Sequence, residues 1–251
     1  MRRIHLAGLL VLAAFGCGGS GEPGEAVIVA AASNLDRAIP RLVEDFEAAS
    51  GLKAVVSLGS TSNLTQQIEN GAPFDVFLSA DAAHIDTLIA GGFAEPDSKY
   101  VYARGRLALW ARQESPLQLT GPEALLDPSV KYVSIANPGF APYGVAAEQA
   151  LDRLGYRDQL KGKIVFAQTI GMTQQYAASG NADIAVTAMS LTRDSDGKRY
   201  ELDAALYDPI EQALAVLVTA LHKDGANRFA AHMKVSSAQA ILEEFGYGPG
   251  D

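Results

Sequence analysis

A doubly wound α/β fold is predicted by three observations on this chain. Short runs of small and β-branched residues alternate with amphipathic segments along most of its length, the pattern of repeated strand–helix units. The stretches between these segments are short. No Pro/Gly/Ser-rich linker interrupts the middle of the chain, so a division into two lobes has to be made by strands that cross over rather than by a tether.

The elements follow in order. Residues 26–32 form a continuous small and β-branched run, as expected of a strand buried on both faces. Leu35, Ile39, Leu42, Val43 and Phe46 then recur at helical spacing, and Gly51 ends that helix. Pro40 fits only the first turn, which makes 33–38 an irregular turn. Strands are expected at 54–58 and 76–79, with a short helix at 63–70 between them closed by Gly71. Asp81 is placed to cap a helix over 82–90. Strands at 107–111 and 132–136 flank a short helix at 122–126. An amphipathic helix over 143–154 is closed by Gly155. A strand at 164–166, a helix at 172–179, and strands at 183–187 and 213–218 come next. Helices over 225–234 and 236–245 close the chain.

Composition and the N-terminus bound the function. Hydrophobic content of 48% and charged content of 20% belong to an ordinary globule, and the stretch from Glu25 onward is long enough for one large domain or two lobes. A formal net charge of -9 argues against a nucleic-acid partner. Met1-Arg2-Arg3-Ile4-His5 precedes an apolar run over 6–15 that is too short to span a bilayer and reads as the core of a signal peptide. Cys17 is the only cysteine, so an intrachain disulfide is impossible. With Ala14, Phe15 and Gly16 before it, Cys17 sits in a segment that resembles a bacterial lipobox. Cleavage of 1–16, lipidation of Cys17 and a flexible tether over 17–24 are therefore expected. Arg2-Arg3 lacks the flanking residues of a twin-arginine signal. His5, His84, His222 and His232 are scattered without metal-ligand spacing, so no metal-cation site is expected. There is no P-loop and no Gly-x-Ser-x-Gly elbow, and no nucleophile, base and orienting acid assemble from the motifs, which argues against an enzyme. Asp75 and Asp81 read as turn and cap residues, and Trp110 as strand packing.

The chemistry is expected where strands end and helices begin, because ligands of open α/β sheets collect there. Four such junctions carry small or hydroxylated residues: Ser33-Asn34, Ser60-Thr61-Ser62, Ala141-Pro142-Tyr143 and Thr169-Ile170-Gly171. At Ala141-Pro142-Tyr143-Gly144 a strand end, a Pro-set turn and a helix start fall close together, so free backbone N–H groups point into the adjoining cleft. That is an anion site in outline. None of the four junctions contains Lys, Arg or His. A dianion there is held by neutral hydroxyl and backbone donors and by helix termini, each equivalent to about half a positive charge. A fully deprotonated tetrahedral oxyanion needs donors only, whereas a protonated phosphate also needs an acceptor that these junctions do not offer. The acidic net charge is no obstacle, because beyond about 8 Å it is screened at physiological salt.

Ala31-Ala32-Ser33-Asn34, Gly59-Ser60-Thr61-Ser62-Asn63 and Ala141-Pro142-Tyr143-Gly144 together resemble the periplasmic molybdate-binding proteins of ABC importers. The resemblance covers nearly all of the chain after the first two dozen residues. It implies the two-lobed periplasmic binding protein fold of type II, each lobe a doubly wound mixed sheet with flanking helices and the ligand in the interlobe cleft. It also implies crossovers near 104–106 and 206–208, so that 25–104 and 208–251 make lobe 1 and 105–207 lobe 2. By the same resemblance Ser33 supplies one hydroxyl and Thr61 a second, at a position usually Ser. Main-chain N–H groups come from Asn34, Tyr143 and Ile170. Some family members carry a Tyr whose phenol touches the ligand where this chain has Ala188. Either Tyr143 compensates with its side chain, or one hydrogen bond is missing. The function implied is an extracytoplasmic receptor that delivers molybdate, and tungstate equally, to an ABC permease in the inner membrane; the alternative ligand is another tetrahedral oxyanion such as sulfate. No cofactor is implied. The receptor is expected to be a periplasmic or extracytoplasmic monomer that meets the membrane only through a lipid on Cys17.

Overall fold

Two mixed sheets with helices on their faces organise the residues described by the computed structural model, 26–193 and 195–250. The predicted signal peptide, Cys17 and the tether lie outside the described residues. Along the chain, β1 (Val27–Ala32) leads through a 3₁₀ turn at Ser33–Leu35 into α1 (Ile39–Ser50). Next come β2 (Ala54–Gly59), α2 (Thr61–Glu69), β3 (Val76–Ser79), α3 (Ala82–Ala90) and β4 (Tyr100–Gly105). The middle of the chain contributes β5 (Leu107–Ala111), β6 (Val133–Ala136), α4 (Pro142–Leu154), β7 (Ile164–Ala167), α5 (Ile170–Ala178), β8 (Ile184–Ala188), the short α6 (Met189–Thr192) and β9 (Lys198–Glu201). The chain then runs through β10 (Ile210–Val216), α7 (Lys223–His232), α8 (Ser236–Glu244) and β11 (Gly248–Pro249).

The first sheet has the order β11-β4-β10-β3-β1-β2 and the second β7-β6-β8-β5-β9. In the first, β1 pairs in parallel with β2 and β3, whereas β10 runs antiparallel between β3 and β4. In the second, β6 is parallel to β7 and β8, and β5 is antiparallel to β8 and β9. The chain passes from one sheet to the other at Arg106, between β4 and β5, and returns between β9 and β10.

Each sheet buries both faces, which is why its central strands read as unbroken apolar runs. One face of the first sheet packs Val27, Val29 and Val76 against Phe46 of α1 and Phe229 of α7, whose rings meet edge-on with centroids 5.0 Å apart. Its other face packs Phe77 and Ala215 against Leu64 of α2 and Ile85 of α3. In the second sheet Leu109, Ile135 and Val186 meet Ala147 and Leu151 of α4, while Trp110 packs with Ala177 on the α5 side. Truncating a side chain such as Phe46 to Ala leaves a cavity in this packing and costs about 3–5 kcal/mol.

The expected helix boundaries hold where capping chemistry sets them. Pro40 sits in the first turn of α1, and Gly51 terminates it at φ 71°, a left-handed conformation that a side chain would strain. Asp81 caps α3 by accepting from the His84 N–H at 2.9 Å. Three helices start two residues earlier than their apolar periodicity indicates: α2 at Thr61, α5 at Ile170 and α7 at Lys223. β10 begins at Ile210 because a bulge at Gln212/Ala213 extends its pairing with β4. Asp75 is not merely a turn residue. It is buried, and its carboxylate accepts from the Ile28 N–H, the His222 N–H and His222 Nδ1, tying β1 to the start of α7. Burial alone pushes its pKa up, but the three hydrogen bonds and the electrostatic attraction of His222 together outweigh burial and hold it below the usual value of 3.8. The resulting stabilisation is present above that unfolded-state value and is lost as pH falls through the lower folded one.

Candidate functional site

Four chain segments converge on one small cavity of about 10 Å³ between the two sheets. That is room for about one water-sized group, far too little for a sugar or a peptide. Ser33, Asn34, Thr61, Tyr143 and Ile170, the residues singled out in the sequence, all line it, and Ser60 lines it as well. None of the lining residues carries a charge.

Each wall has a local cause. Ser33 follows the last residue of β1 and opens the 3₁₀ turn. The start of α5 lies directly against it: a Cβ built on Gly171 would stand 3.9 Å from Ser33 Cβ. Asn34 is fully buried, and its side chain is committed to the scaffold. Its Nδ2 donates to Gln212 Oε1 and to the Tyr247 hydroxyl, both at 2.8 Å. Its carbonyl oxygen accepts from the hydroxyls of Tyr247 and Ser190, again at 2.8 Å. These bonds freeze the turn and leave the backbone N–H as the group Asn34 can offer a ligand.

Thr61 is the first residue of α2 and is buried. Its Oγ1 accepts from the Ala80 N–H at 3.2 Å, so its own hydroxyl proton remains for an acceptor in the cavity. Ile170 opens α5. The preceding Thr169 caps that helix through the Met172 N–H, which leaves the N–H groups of Ile170 and Gly171 among the unpaired donors of the first turn. Tyr143, the second residue of α4, likewise carries an N–H without an intrahelical partner. Its phenol reaches the crossover strand, where a Cβ on Gly105 would stand 2.2 Å from the hydroxyl. The hydroxyl lies beside the Asn34 side chain, whose hydrogen bonding opposes the upward pKa shift. Burial, then the neighbouring Tyr247, Tyr102 and Tyr207, push its pKa well above the ordinary tyrosine value. Tyr143 is therefore neutral across the physiological range.

Three residues that shape the site are absent from the sequence reading: Ser190, Gln212 and Tyr247, which fix Asn34. Ala188 ends β8 and leads straight into α6, whose Ser190 supports the Asn34 carbonyl. These three lie 156 to 213 residues from Asn34 and carry no sequence signal, whereas Ser60 stands in the junction Ser60-Thr61-Ser62 without a ligand role assigned to it.

One residue past Thr61 the structure also corrects an expectation. A serine, a base and an acid do assemble: Ser62 Oγ lies 3.1 Å from His84 Nε2, and His84 Nδ1 lies 2.8 Å from Asp81 Oδ2. Sequence motifs missed this because Ser62 comes from α2 and the other two from the start of α3. The surroundings do not suit acyl transfer. The Ser62 hydroxyl points at the Gly139 carbonyl oxygen, 3.5 Å away, an acceptor where a developing oxyanion needs donors. The Ser62 N–H donates to the Phe140 carbonyl at 3.2 Å. The cluster thus joins α2 of the first sheet to the turn before α4 of the second. Among the described residues no group of His, Cys, Asp and Glu is arranged to hold a metal cation, and no helix is long and apolar enough to cross a membrane.

Comparison with known proteins bears on this geometry. The profile of the bacterial extracellular solute-binding proteins matches residues 27–248. The molybdate-binding protein ModA of Azotobacter vinelandii is 34% identical over 226 residues, spanning 88% of this chain and 89% of that protein. ModA of Rhodobacter capsulatus is 32% identical over 222 residues, spanning 88% and 87%. The solved structure of the Azotobacter vinelandii periplasmic molybdate-binding protein superposes with a TM-score of 0.84 at 33% identity, covering 88% of this chain and 98% of that one.

Proposed function

The chain belongs to the bacterial extracellular solute-binding proteins and, within them, to the molybdate-binding proteins, and from that premise we propose that it captures molybdate in the cavity at Ser33, Thr61, Tyr143 and Ile170. The observation that carries this reading is an uncharged cavity between two sheets onto which hydroxyls and helix N-termini converge. Hydroxyls of Ser33 and Thr61 and N–H groups of Asn34, Tyr143 and Ile170 donate to the four oxygens. The unpaired N–H groups at the starts of α2, α4 and α5 add their dipoles. Each bond to a charged acceptor contributes about 1.5–3 kcal/mol. Tungstate, a dianion of nearly the same size, binds equally well. Sulfate is rejected because its shorter bonds cannot reach all the fixed donors at once.

In this reading residues 25–104 and 208–251 form one lobe and 105–207 the other. The lobes close over the anion about the crossings at Arg106 and between β9 and β10, and the closed receptor docks on an ABC permease. It performs no catalysis and acts as a monomer outside the cytoplasm, held to the membrane by a lipid on Cys17. Replacing Cys17 with Ser leaves ligand binding intact and shifts the protein from the membrane to the soluble fraction or to uncleaved precursor; unchanged partitioning contradicts the anchor. The ligand is tested by a thermal-shift panel of molybdate, tungstate, sulfate, phosphate and chromate. Large, similar shifts with the first two and a small one with sulfate support the reading. A sulfate shift as large as that of molybdate overturns it.

A further inference from the structure

We propose that the Ser60 hydroxyl is a further donor to the bound oxyanion. Four buried side-chain atoms among the described residues lack a hydrogen-bond partner: Asn34 Oδ1, Ser60 Oγ, Trp110 Nε1 and the Tyr143 hydroxyl. An orphaned buried polar atom is uncommon enough to need a cause. Trp110 does not line the cavity. Asn34 Oδ1 is an acceptor and has nothing to give an anion. The Tyr143 hydroxyl lies against Gly105 and the Asn34 side chain. That leaves Ser60, which lines the cavity and whose hydroxyl carries a proton, on a residue only 3% exposed.

Its position sharpens the point. Ser60 precedes α2 with an extended backbone (φ −73°, ψ 147°), the conformation in which a serine normally caps its helix by accepting from the N–H two or three residues on. It makes no such bond. Its carbonyl oxygen takes the first helical bond, from the Leu64 N–H, while the hydroxyl is withheld. A hydroxyl that forgoes capping and stays buried without a partner is set up for an acceptor that arrives with the ligand. Next to it the Thr61 hydroxyl has its acceptor role filled by Ala80 and its proton free. Adjacent residues thus present two donors to one side of the cavity, which also bears on size, because both reach only an anion whose oxygens spread widely enough.

This inference rests on the cavity being an oxyanion site, so the experiment carries controls that separate the two. Ser60→Ala, Ser60→Gly, Thr61→Val and Ser33→Ala are titrated calorimetrically with molybdate, and each is melted without ligand. Ser60→Ala and Ser60→Gly are expected to weaken binding about ten- to a hundredfold. Their ligand-free melting temperatures stay level or rise, since an unsatisfied buried hydroxyl has been removed. If Ser60→Ala binds like the wild type while Ser33→Ala and Thr61→Val weaken, the Ser60 role is overturned and the site stands. If Ser60→Ala lowers the ligand-free melting temperature and Ser60→Gly, which is nearly neutral at a cap, does not, with both binding normally, Ser60 is a cap and the inference is overturned. If none of the four variants weakens binding, the oxyanion reading of the cavity falls and this inference with it.

Discussion

The two sides of the cavity offer a ligand different chemistry. On the first-sheet side, the end of β1 and the start of α2 line the cavity with hydroxyl-bearing residues, Ser33, Ser60 and Thr61. On the second-sheet side, α4 and α5 begin with Ala141-Pro142-Tyr143 and Ile170, and apart from the distant phenol of Tyr143 the donors there are backbone N–H groups. One side is therefore written in residue identity and the other in backbone path. Substitutions on the first side change affinity through the atoms they delete. On the second side most substitutions leave the donors in place, and only a residue without an N–H removes one.

The largest expected effect exploits that asymmetry. Proline is tolerated at the first helical position, and Thr169, at φ −130° and ψ 158°, already has the backbone a following proline requires. Ile170→Pro should weaken molybdate binding at least about tenfold through the lost N–H, whereas Ile170→Val should bind like the wild type. Equal affinities of the two variants by calorimetry break the claim that the second side acts through its backbone. Thr61→Val keeps the shape and deletes the hydroxyl, and is expected to cost about 1.5–3 kcal/mol of binding. A loss within error there breaks the other half of the comparison.

These contrasts show what could be read from residues alone. Core periodicity, Pro40 and the glycines that close helices located α1 and α4 well, because those signals are local and energetic. The starts of α2 and α5 were placed late, since Thr61, Ser62, Ile170 and Gly171 face the cleft and a neighbouring turn, so the apolar repeat begins only after them. β9 went unseen because Lys198-Arg199-Tyr200-Glu201 is a polar strand at a sheet edge. β4 was missed because its identity comes from pairing with β10, about a hundred residues on. The residues lining the cavity were legible because strand-to-helix turns announce themselves. The partners that fix Asn34 were not, because Ser190, Gln212 and Tyr247 are joined to it only by the fold.

Smaller effects sharpen the comparison further. Tyr143→Phe removes a hydroxyl turned toward Gly105 and the Asn34 side chain, so affinity should change by less than about twofold. A tenfold loss instead means that the phenol reaches the ligand and that the second side also uses a side chain. The smallest expected effect is that of pH. Burial pushes the phenols of Tyr143 and Tyr247 upward, and the cavity lining carries no charged group, so affinity should stay level between about pH 7 and 9. Added salt should also matter little, because contact-range dipoles in a closed cleft are poorly screened. A steep fall with either variable points to a cationic side chain at the anion.

The central claim, that neutral donors from both sheets hold one oxyanion in this cavity, is tested most directly by a crystal structure with molybdate and the anomalous signal of its metal. The expected result is a single peak in the cavity, with oxygens about 2.7–3.1 Å from the hydroxyls of Ser33, Ser60 and Thr61 and from the N–H groups of Asn34, Tyr143 and Ile170. A peak elsewhere, or an anion whose main contact is a lysine or arginine side chain, contradicts the account.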